Sequence, residues 1–337
     1  MLSSLMLNKF NEIFKVPEVC QDCIDNMVKD EEKRLVVAME GKEFTITDAI
    51  DKLELPKEQV EELIDAAYKR GILNKVNGKQ DTFISTDLYT RLKYAAVFDH
   101  YEVIPLEARK SIDEWYINAF IEKHKENFQK LRDNELDIET AHFLYSHTPF
   151  LLEQAYEVID SADRIVALPC DCNQLSEYRS ASEEVFHCIH FDTYADGYLE
   201  RSLGKVLTRE ECKEVVRQAD KKGYMHCINL NFKNAGPGFI CNCGPRWCYP
   251  YRAAKIMGSE SYYPLRRNVA DYESDKCISC GLCIKRCPFG AFSQLDEQVE
   301  VKGKLKNKIR FNSTICQGCG LCANTCPENA IKMITFK

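Results

Sequence analysis

The chain has 337 residues, of which 45% are hydrophobic and 29% charged, and its formal net charge is -7 at pH 7. This length is enough for two or three domains, and the negative charge argues against a general affinity for nucleic acid or for an anionic membrane. No run approaches the roughly 20 apolar residues of a membrane-spanning helix, and the amphipathic N-terminus MLSSLMLNKFNEIF has too short an apolar run for a signal peptide, so we expect a cytoplasmic protein.

The 18 cysteines are the unusual feature of the composition. In a long chain of a reducing compartment, cysteines at short spacings are typical of metal sites rather than of disulfides. A scattered cysteine such as Cys212 fits the alternative role of a small buried hydrophobic residue. The distribution of the cysteines divides the chain into three predicted regions, residues 1–150, 151–260 and 271–337.

Residues 1–150 are predicted to be helical and winged-helix-like. A short helix is predicted around Thr47–Leu55. A second, amphipathic helix has its apolar residues at helical spacing, and Gly71 is placed to end it: Val60, Leu63, Ile64, Ala67 and Tyr68. The segments ILNKV and TFIST flank the turn-prone NGKQD and predict a small hairpin. Helix, turn, helix and hairpin is the order of a winged helix.

The second of these helices is acidic where a DNA-binding helix is basic. Its charged residues include Glu58, Glu61, Glu62 and Asp65. Contacts to phosphates need Lys or Arg, so the sequence favours a protein-docking or structural role over DNA binding. In the same region Cys20 and Cys23 form an isolated C-x-x-C pair with no second pair nearby, which favours a role other than metal ligation.

Residues 151–260 are predicted to form a mixed α/β domain. DRIVALP predicts a short buried strand that runs directly into Cys170-Asp-Cys172. Thr208 and Glu211 form a capping box before a helix that Gly223 can close. GYMHCINLNF predicts another strand, followed by the turn-rich NAGPG and a second cysteine segment. If the two strands are neighbours, both cysteine loops converge on one end of the sheet.

Six cysteines of this middle domain are candidate ligands of a third site: Cys170, Cys172, Cys188, Cys241, Cys243 and Cys248. Three interpretations stay open. The site holds a third iron–sulfur cluster; it is a zinc site or a substrate or cofactor pocket with reactive thiols; or the cysteines are buried or paired without a metal. His187 and His190 lie close by in sequence and are expected to be packing or surface residues rather than ligands.

Residues 271–337 contain two copies of the pattern C-x2-C-x2-C-x3-C-P, each with a Cys-Gly-Leu-Cys core. Zinc sites normally use two C-x-x-C pairs separated by a longer loop, so this crowding predicts two [4Fe–4S] clusters. Three cysteines of a motif bind three irons of one cubane, and the cysteine before the proline crosses to the other cluster. The predicted ligands are Cys277, Cys280, Cys283 and Cys326 for cluster one and Cys316, Cys319, Cys322 and Cys287 for cluster two.

Two glycines of these motifs, Gly281 and Gly320, are expected to let the backbone approach the clusters, so that amide hydrogens can bond to the cluster sulfurs.

The motifs resemble those of bacterial-type dicluster ferredoxins. The resemblance covers about the last fifth of the chain. It implies a pseudo-symmetric fold, low-potential one-electron chemistry and two clusters near one another.

The connection between the two motifs is longer than in those ferredoxins. VEVKGKLKNKIRFN predicts an extended hairpin with five basic residues, Lys302, Lys304, Lys306, Lys308 and Arg310. This hairpin is either a solvated edge or a docking surface for an acidic electron donor or acceptor, so a redox partner protein is expected to dock near the ferredoxin domain.

The first two regions are similar to iron–sulfur proteins of anaerobes, in which a winged-helix-like region and a cysteine-motif domain precede a dicluster ferredoxin. The middle motifs of those proteins resemble Pro169-Cys170-x-Cys172 followed by Arg, and a Cys-Asn-Cys-Cys run. This chain has Asn173 at the arginine position and Gly244 at the last cysteine position. The predicted fold class is therefore α+β and multidomain, with the ligand set of the middle domain left open.

The leading functional hypothesis is a cytoplasmic, anaerobic iron–sulfur protein that carries single electrons through the ferredoxin domain to a middle-domain site or to a partner oxidoreductase. One alternative is an oxidoreductase with a substrate or cofactor site in the middle domain. The sequence has no glycine-rich dinucleotide fingerprint, P-loop or clear catalytic triad that would name a substrate. The other alternative is a redox-sensing regulator, against which the acidic helix argues.

Overall fold

The computed structural model of the protein describes residues 2–79, 81–133, 135, 147–177, 186–259 and 265–335. The chain divides into two compact units. The first comprises Met1–Ala119, Cys170–Glu184 and Glu200–Leu203, and the second comprises Phe120–Pro169, Val185–Leu199 and Gly204–Lys337. The region predicted from the sequence as 1–150 includes residues 136–146, which lie outside the described residues.

The first unit is mainly helical. Its elements are helices α1 (Ser4–Ile13), α2 (Glu18–Gln21), α3 (Asp30–Met39), α4 (Ile46–Leu53), α5 (Lys57–Lys69) and α6 (Leu88–Phe98), strands β1 (Phe44–Thr45), β2 (Leu73–Lys75) and β3 (Thr82–Ser85), and the start of α7 (Leu106–Arg132). The strands form an antiparallel sheet in the order β1-β3-β2.

The two helices and the hairpin predicted for residues 47–85 are confirmed. A capping box starts α4, because the Thr45 hydroxyl accepts from the Asp48 backbone and the Asp48 carboxylate accepts from the Thr45 backbone. Gly71, with φ of +73°, follows the end of α5 as predicted. The likeness of this unit to a winged helix stays a prediction.

Arg91 is the buried polar centre of the first unit, with no exposed side-chain surface. Its guanidinium donates to the backbone carbonyl of Met27 at 2.9 Å and to that of Arg70 at 2.8 Å, and it pairs with the Asp99 carboxylate. A buried charge is tolerated only when it is paired and hydrogen-bonded, so these three acceptors make the position specific for arginine.

The second unit contains a six-stranded antiparallel sheet in the order β4-β8-β9-β6-β5-β7. The strands are β4 (Thr148–Phe150), β5 (Ile165–Leu168), β6 (Cys188–Phe191), β7 (Lys205–Val206), β8 (Met225–Ile228) and β9 (Phe239–Cys243). The two strands predicted from DRIVALP and GYMHCINLNF are present as β5 and β8. They are not neighbours, because β9 and β6 lie between them.

Helices α8 (Leu152–Asp160) and α11 (Arg209–Lys222) cover one face of this sheet, and they share its main apolar core. Three isoleucines from adjacent strands lie side by side in that core, Ile189, Ile228 and Ile240. The predicted capping box of α11 is confirmed by the reciprocal bonds between Thr208 and Glu211, and Gly223, with φ of +89°, ends the helix.

The other α-helices of the described ranges are short: α9 (Asp171–Leu175), α10 (Asp192–Glu200), α12 (Phe232–Ala235), α13 (Tyr249–Ile256) and α14 (Leu282–Arg286). Among the described residues, no helix combines the length and the apolar character that crossing a membrane requires.

The C-terminal part of the second unit is built on two antiparallel strand pairs. Strand β10 (Asn268–Tyr272) pairs with β13 (Ile331–Thr335), so the two ends of this part lie side by side. Strands β11 (Phe292–Val301) and β12 (Lys304–Phe311) form the hairpin predicted between the two cysteine motifs. Lys302 and Gly303 connect them with φ of 51° and 77°, as in the two-residue turns whose twist matches that of a hairpin.

Candidate metal centres

Three cysteines of the first motif and one of the second line a common cavity. The walls of this cavity include Cys277, Cys280, Cys283 and Cys326. The first three thiols come from the loop before α14 and from its first turn, and Cys326 comes from the loop that leads into β13. Four thiols around one open space, with apolar walls between them, fit the donor set of a cubane cluster.

The remaining four motif cysteines are also neighbours. Burial, together with the nearby thiols of Cys287 and Cys316, raises the pKa of Cys322 to about 12. Burial likewise raises the pKa of Cys319 well above its ordinary value, with Cys322, Cys287 and Cys316 adding to the shift. The shifts show that these four thiols are buried and close to one another, as the ligands of one metal centre must be.

The two cysteines that precede prolines have matching surroundings. The backbone N–H of Ala291 donates to Cys287 Sγ at 3.3 Å, and the N–H of Ala330 donates to Cys326 Sγ at 3.2 Å. In each motif the donor lies four residues after its cysteine. The N–H of Ser279 also donates to Cys277 Sγ, at 3.3 Å. The two motifs are therefore local structural repeats, and backbone donors of this kind stabilise sulfur ligands.

The glycines of the motifs have positive φ and differ in the space around them. At Gly281, with φ of +76°, a Cβ would meet no protein atom within 4 Å, so only the backbone conformation and the adjacent cavity constrain this residue. At Gly320 a Cβ would lie 2.8 Å from the Leu151 side chain. The tightest position is Gly318, which the motif analysis did not single out, where a Cβ would lie 2.0 Å from the Asn268 carbonyl oxygen.

Five cysteines of the second unit form a connected group on the sheet, which we call the thiol row: Cys188, Cys227, Cys241, Cys243 and Cys248. Cys241 lies directly opposite Cys188 on one neighbouring strand and opposite Cys227 on the other. The thiols of Cys188 and Cys243 are close enough to Cys241 to shift its pKa, and those of Cys227 and Cys248 are close enough to shift the pKa of Cys243. The hydroxyl of Tyr251 lies 3.7 Å from Cys227 Sγ.

Contacts within the thiol row shift the pKa values of Cys241 and Cys243 in opposite directions. Hydrogen bonds from the Cys188 and Cys243 thiols hold the pKa of Cys241 well below its ordinary value of 9.0. The hydrogen bond with Cys227, followed by those with Cys241 and Cys248, raises the pKa of Cys243 well above that value. Cys241 therefore ionises more readily than Cys243, and a thiolate is the form that binds metals.

Four of the six cysteines predicted for the middle domain belong to the thiol row, and the sequence analysis omitted Cys227 from the site. Cys170 and Cys172 belong to the first unit, at the start of α9 and directly after β5. The sequence predicted Cys241 and Cys243 in a loop after a strand. In the structure they lie within strand β9 itself. Residues two apart in a strand share a face, so Cys241 and Cys243 lie on the same face of β9.

The departure at Gly244 from the Cys-Asn-Cys-Cys pattern has a steric cause. A Cβ at Gly244 would lie 2.3 Å from the Trp247 ring, so the indole occupies the space that a cysteine side chain would need. His187 contacts Tyr224 edge-on, with ring centroids 4.7 Å apart, and His190 contacts Tyr198 at 4.8 Å. Both contacts agree with the packing role expected for these histidines.

Comparison with known proteins assigns the C-terminal part of the chain. No curated protein matches this sequence. Residues 270–333 match the family described as 4Fe-4S dicluster domain, and this range contains both cysteine motifs and the hairpin between them. The C-terminal part of the chain is therefore a 4Fe-4S dicluster domain, as the spacing of its cysteines predicted.

Proposed function

We propose that the protein is an electron carrier in which single electrons pass through two [4Fe–4S] clusters of the dicluster domain. The observation that carries the proposal is the cavity whose walls include three cysteines of the first motif and one of the second. Each cluster, when bound, supplies a centre that gains or loses one electron at low potential.

The proposed ligands of cluster one are Cys277, Cys280, Cys283 and Cys326, and those of cluster two are Cys316, Cys319, Cys322 and Cys287. For each motif, one observation supports the assignment of its last cysteine to the cluster of the other motif. Cys326 lines the cavity of the first motif, and Cys287 raises the pKa values of Cys319 and Cys322.

Two features of the chain are expected to affect the reduction potential of each cluster. Cys280 is exposed, whereas Cys319 is 9% exposed, so solvent reaches the first site more easily than the second. Lys306 donates to the Ile278 carbonyl at 3.0 Å, which places a cation beside the loop of the first motif. Exposure and hydrogen bonding both shift the potential of an iron–sulfur cluster, so we expect the two clusters to differ in potential.

Pairs of cysteine variants test the ligand assignment. In anaerobically purified full-length protein, Cys283→Ser and Cys326→Ser should each remove about 4 irons, and the double variant should lose no more than either single variant. Cys322→Ser combined with Cys326→Ser should lose about 8, because it damages both clusters. Cys212→Ser is the control, since Cys212 is buried in a different part of the unit. If Cys322→Ser and Cys326→Ser instead remove the same irons, the crossing is refuted.

The hairpin is the proposed docking surface for a redox partner. Three of its five basic residues have partners inside the domain: Lys302 with Glu328 at 3.0 Å, Lys308 with Glu297 at 3.2 Å, and Lys306 with the Ile278 carbonyl. Lys304 and Arg310 are exposed, and both belong to β12. They are the two cations that we expect to attract an acidic donor or acceptor.

The acceptor of the electrons is proposed to be the middle domain or a partner oxidoreductase. The thiol row favours the first of these, and with it the alternative of an oxidoreductase whose site is the middle domain. The redox-sensing regulator is the least supported hypothesis, because the four acidic residues of α5 are exposed in the first unit and would repel DNA phosphates. Salt-dependent DNA binding of the purified protein would reverse this order.

A further inference from the structure

The thiol row differs from an ordinary hydrophobic face of the same sheet. On the face covered by α8 and α11, adjacent positions of β6, β9 and β8 carry Ile189, Ile240 and Ile228. One residue away along each strand, the opposite face carries cysteine on all three strands, Cys188, Cys241 and Cys227. The strands thus carry large aliphatic residues on one face and three adjacent thiols on the other.

The thiols are also connected and shielded from water. Cys227 is 0% exposed, Cys248 is 1% exposed and Cys243 is 6% exposed. Cys243 lies in one buried cluster with Cys227 and Cys248, and Cys241 packs against that cluster. Two of these four residues lie on one strand, one on the neighbouring strand, and Cys248 at the start of α13. Regular elements position all four, which is the rigidity that a metal site requires.

A cysteine of the dicluster domain lies in the same buried cluster. Cys319, a proposed ligand of cluster two, packs in one apolar cluster with Cys227, Cys243 and Cys248, together with Met225, Tyr251 and Leu321. Polar contacts also join the dicluster domain to the end of α11. Asn324 donates to the Asp220 carboxylate at 2.9 Å, and Arg286 donates to the Asp220 carbonyl at 2.6 Å.

We propose that the thiol row binds a third iron–sulfur cluster, with Cys227, Cys241, Cys243 and Cys248 as its ligands. A set of four soft thiolates selects zinc or iron–sulfur clusters among the metals of the cell. The shared apolar cluster with Cys319 favours the redox-active member of this pair, because it places the site next to a centre that exchanges electrons. This part of the argument rests on the proposed function.

The redox step is a transfer of one electron between two clusters. Cluster two, once reduced by a donor of the dicluster domain, loses one electron and the third cluster gains it, so that no atom or proton needs to move. The apolar side chains between Cys319 and the thiol row exclude water from this path. The middle domain thereby becomes the proposed destination of the electrons.

The test compares the metal content of the full-length protein with that of a variant of the thiol row. After anaerobic purification, the wild type should contain about 12 irons and the double variant Cys227→Ala, Cys248→Ala about 8. The variant should keep the reduced-state spectra of the dicluster domain. The control is Cys212→Ala, which removes a fully buried thiol from α11 on the other face of the sheet and should keep all the iron.

The design separates this inference from the proposed function. The third cluster is tested by the difference in iron content between the wild type and the double variant. Equal iron contents would overturn it, and so would about one zinc per wild-type chain that the variant lacks. The proposed function depends on the iron that the variant retains, and a variant with much less than about 8 irons would contradict it if Cys212→Ala is fully loaded. If the double variant is insoluble, the wild-type count decides, because about 8 irons excludes the third cluster.

Discussion

Gly318 offers a sharp test of how the second cysteine motif is held in place. Its φ is +68°, and an added Cβ would lie 2.0 Å from the Asn268 carbonyl oxygen and 2.6 Å from the carbonyl carbon. Asn268 is fully buried and begins β10, where it pairs with Thr335 of β13. The Thr335 hydroxyl donates to the Asn268 side chain at 2.7 Å. The backbone that would collide with the new methyl group is therefore fixed from two sides.

The expected loss of stability in Gly318→Ala has two parts. A residue with a Cβ in the left-handed region costs about 1–2 kcal/mol. The steric part is larger, because Cβ atoms essentially never come within 3.0 Å of another heavy atom and the two backbone segments would have to separate by about 1 Å. Overpacking of this kind costs about 1–3 kcal/mol, so the sum is about 2–5 kcal/mol.

Gly303→Ala is the matched control. Gly303 has φ of +77° in the hairpin turn, but a Cβ there would meet nothing within 4 Å, so only the backbone cost of about 1–2 kcal/mol applies. Urea unfolding of the cluster-loaded full-length protein, followed through the visible absorption of the clusters, measures both variants. Equal losses in the two variants would refute the steric argument, because the contact with Asn268 would then contribute nothing.

Three further predictions concern other parts of the chain. Arg91→Met should destabilise the first unit by about 1–3 kcal/mol in chemical denaturation followed by circular dichroism, because it removes the buried hydrogen bonds to the Met27 and Arg70 carbonyls, while Asp99 keeps Arg70 as a partner. The exposed Lys93→Met should have little effect. Burial raises the pKa of Cys212 from 9.0 to about 12. This thiol should therefore resist alkylation in the native protein at about pH 9 and react once the protein unfolds. Rapid labelling of Cys212 in the native protein, located by mass spectrometry, would contradict its burial. The same shift stabilises the fold below about pH 9, and this contribution is lost as the pH rises towards 12. Lys304→Glu combined with Arg310→Glu should slow cluster reduction by anionic dithionite several-fold at low salt and leave reduction by cationic methyl viologen no slower, and equal effects on both donors would exclude a role of hairpin charge.

Local sequence determined most of the elements. The capping residues Thr45 and Thr208 start their helices because a side-chain oxygen three residues away completes the reciprocal bonds, and both partners lie within one turn. The two cysteine motifs are equally local, since three of the four ligands in each motif lie within seven consecutive residues. For this reason the dicluster domain was predictable from spacing alone, and the family comparison agrees with it.

The middle domain was less predictable because its site depends on which strands are neighbours. Alternation along a strand tells which residues share a face, but the order of strands in a sheet depends on packing between distant segments. The sequence left open whether β5 and β8 are neighbours, and the structure inserts β9 and β6 between them. Only this order brings Cys227 opposite Cys241, and only the Trp247 ring explains Gly244. The sequence by itself thus determined the two motifs and the capped helices, whose contacts are local, while the tertiary structure decided the thiol row and the clash at Gly318, whose contacts join residues far apart in the chain.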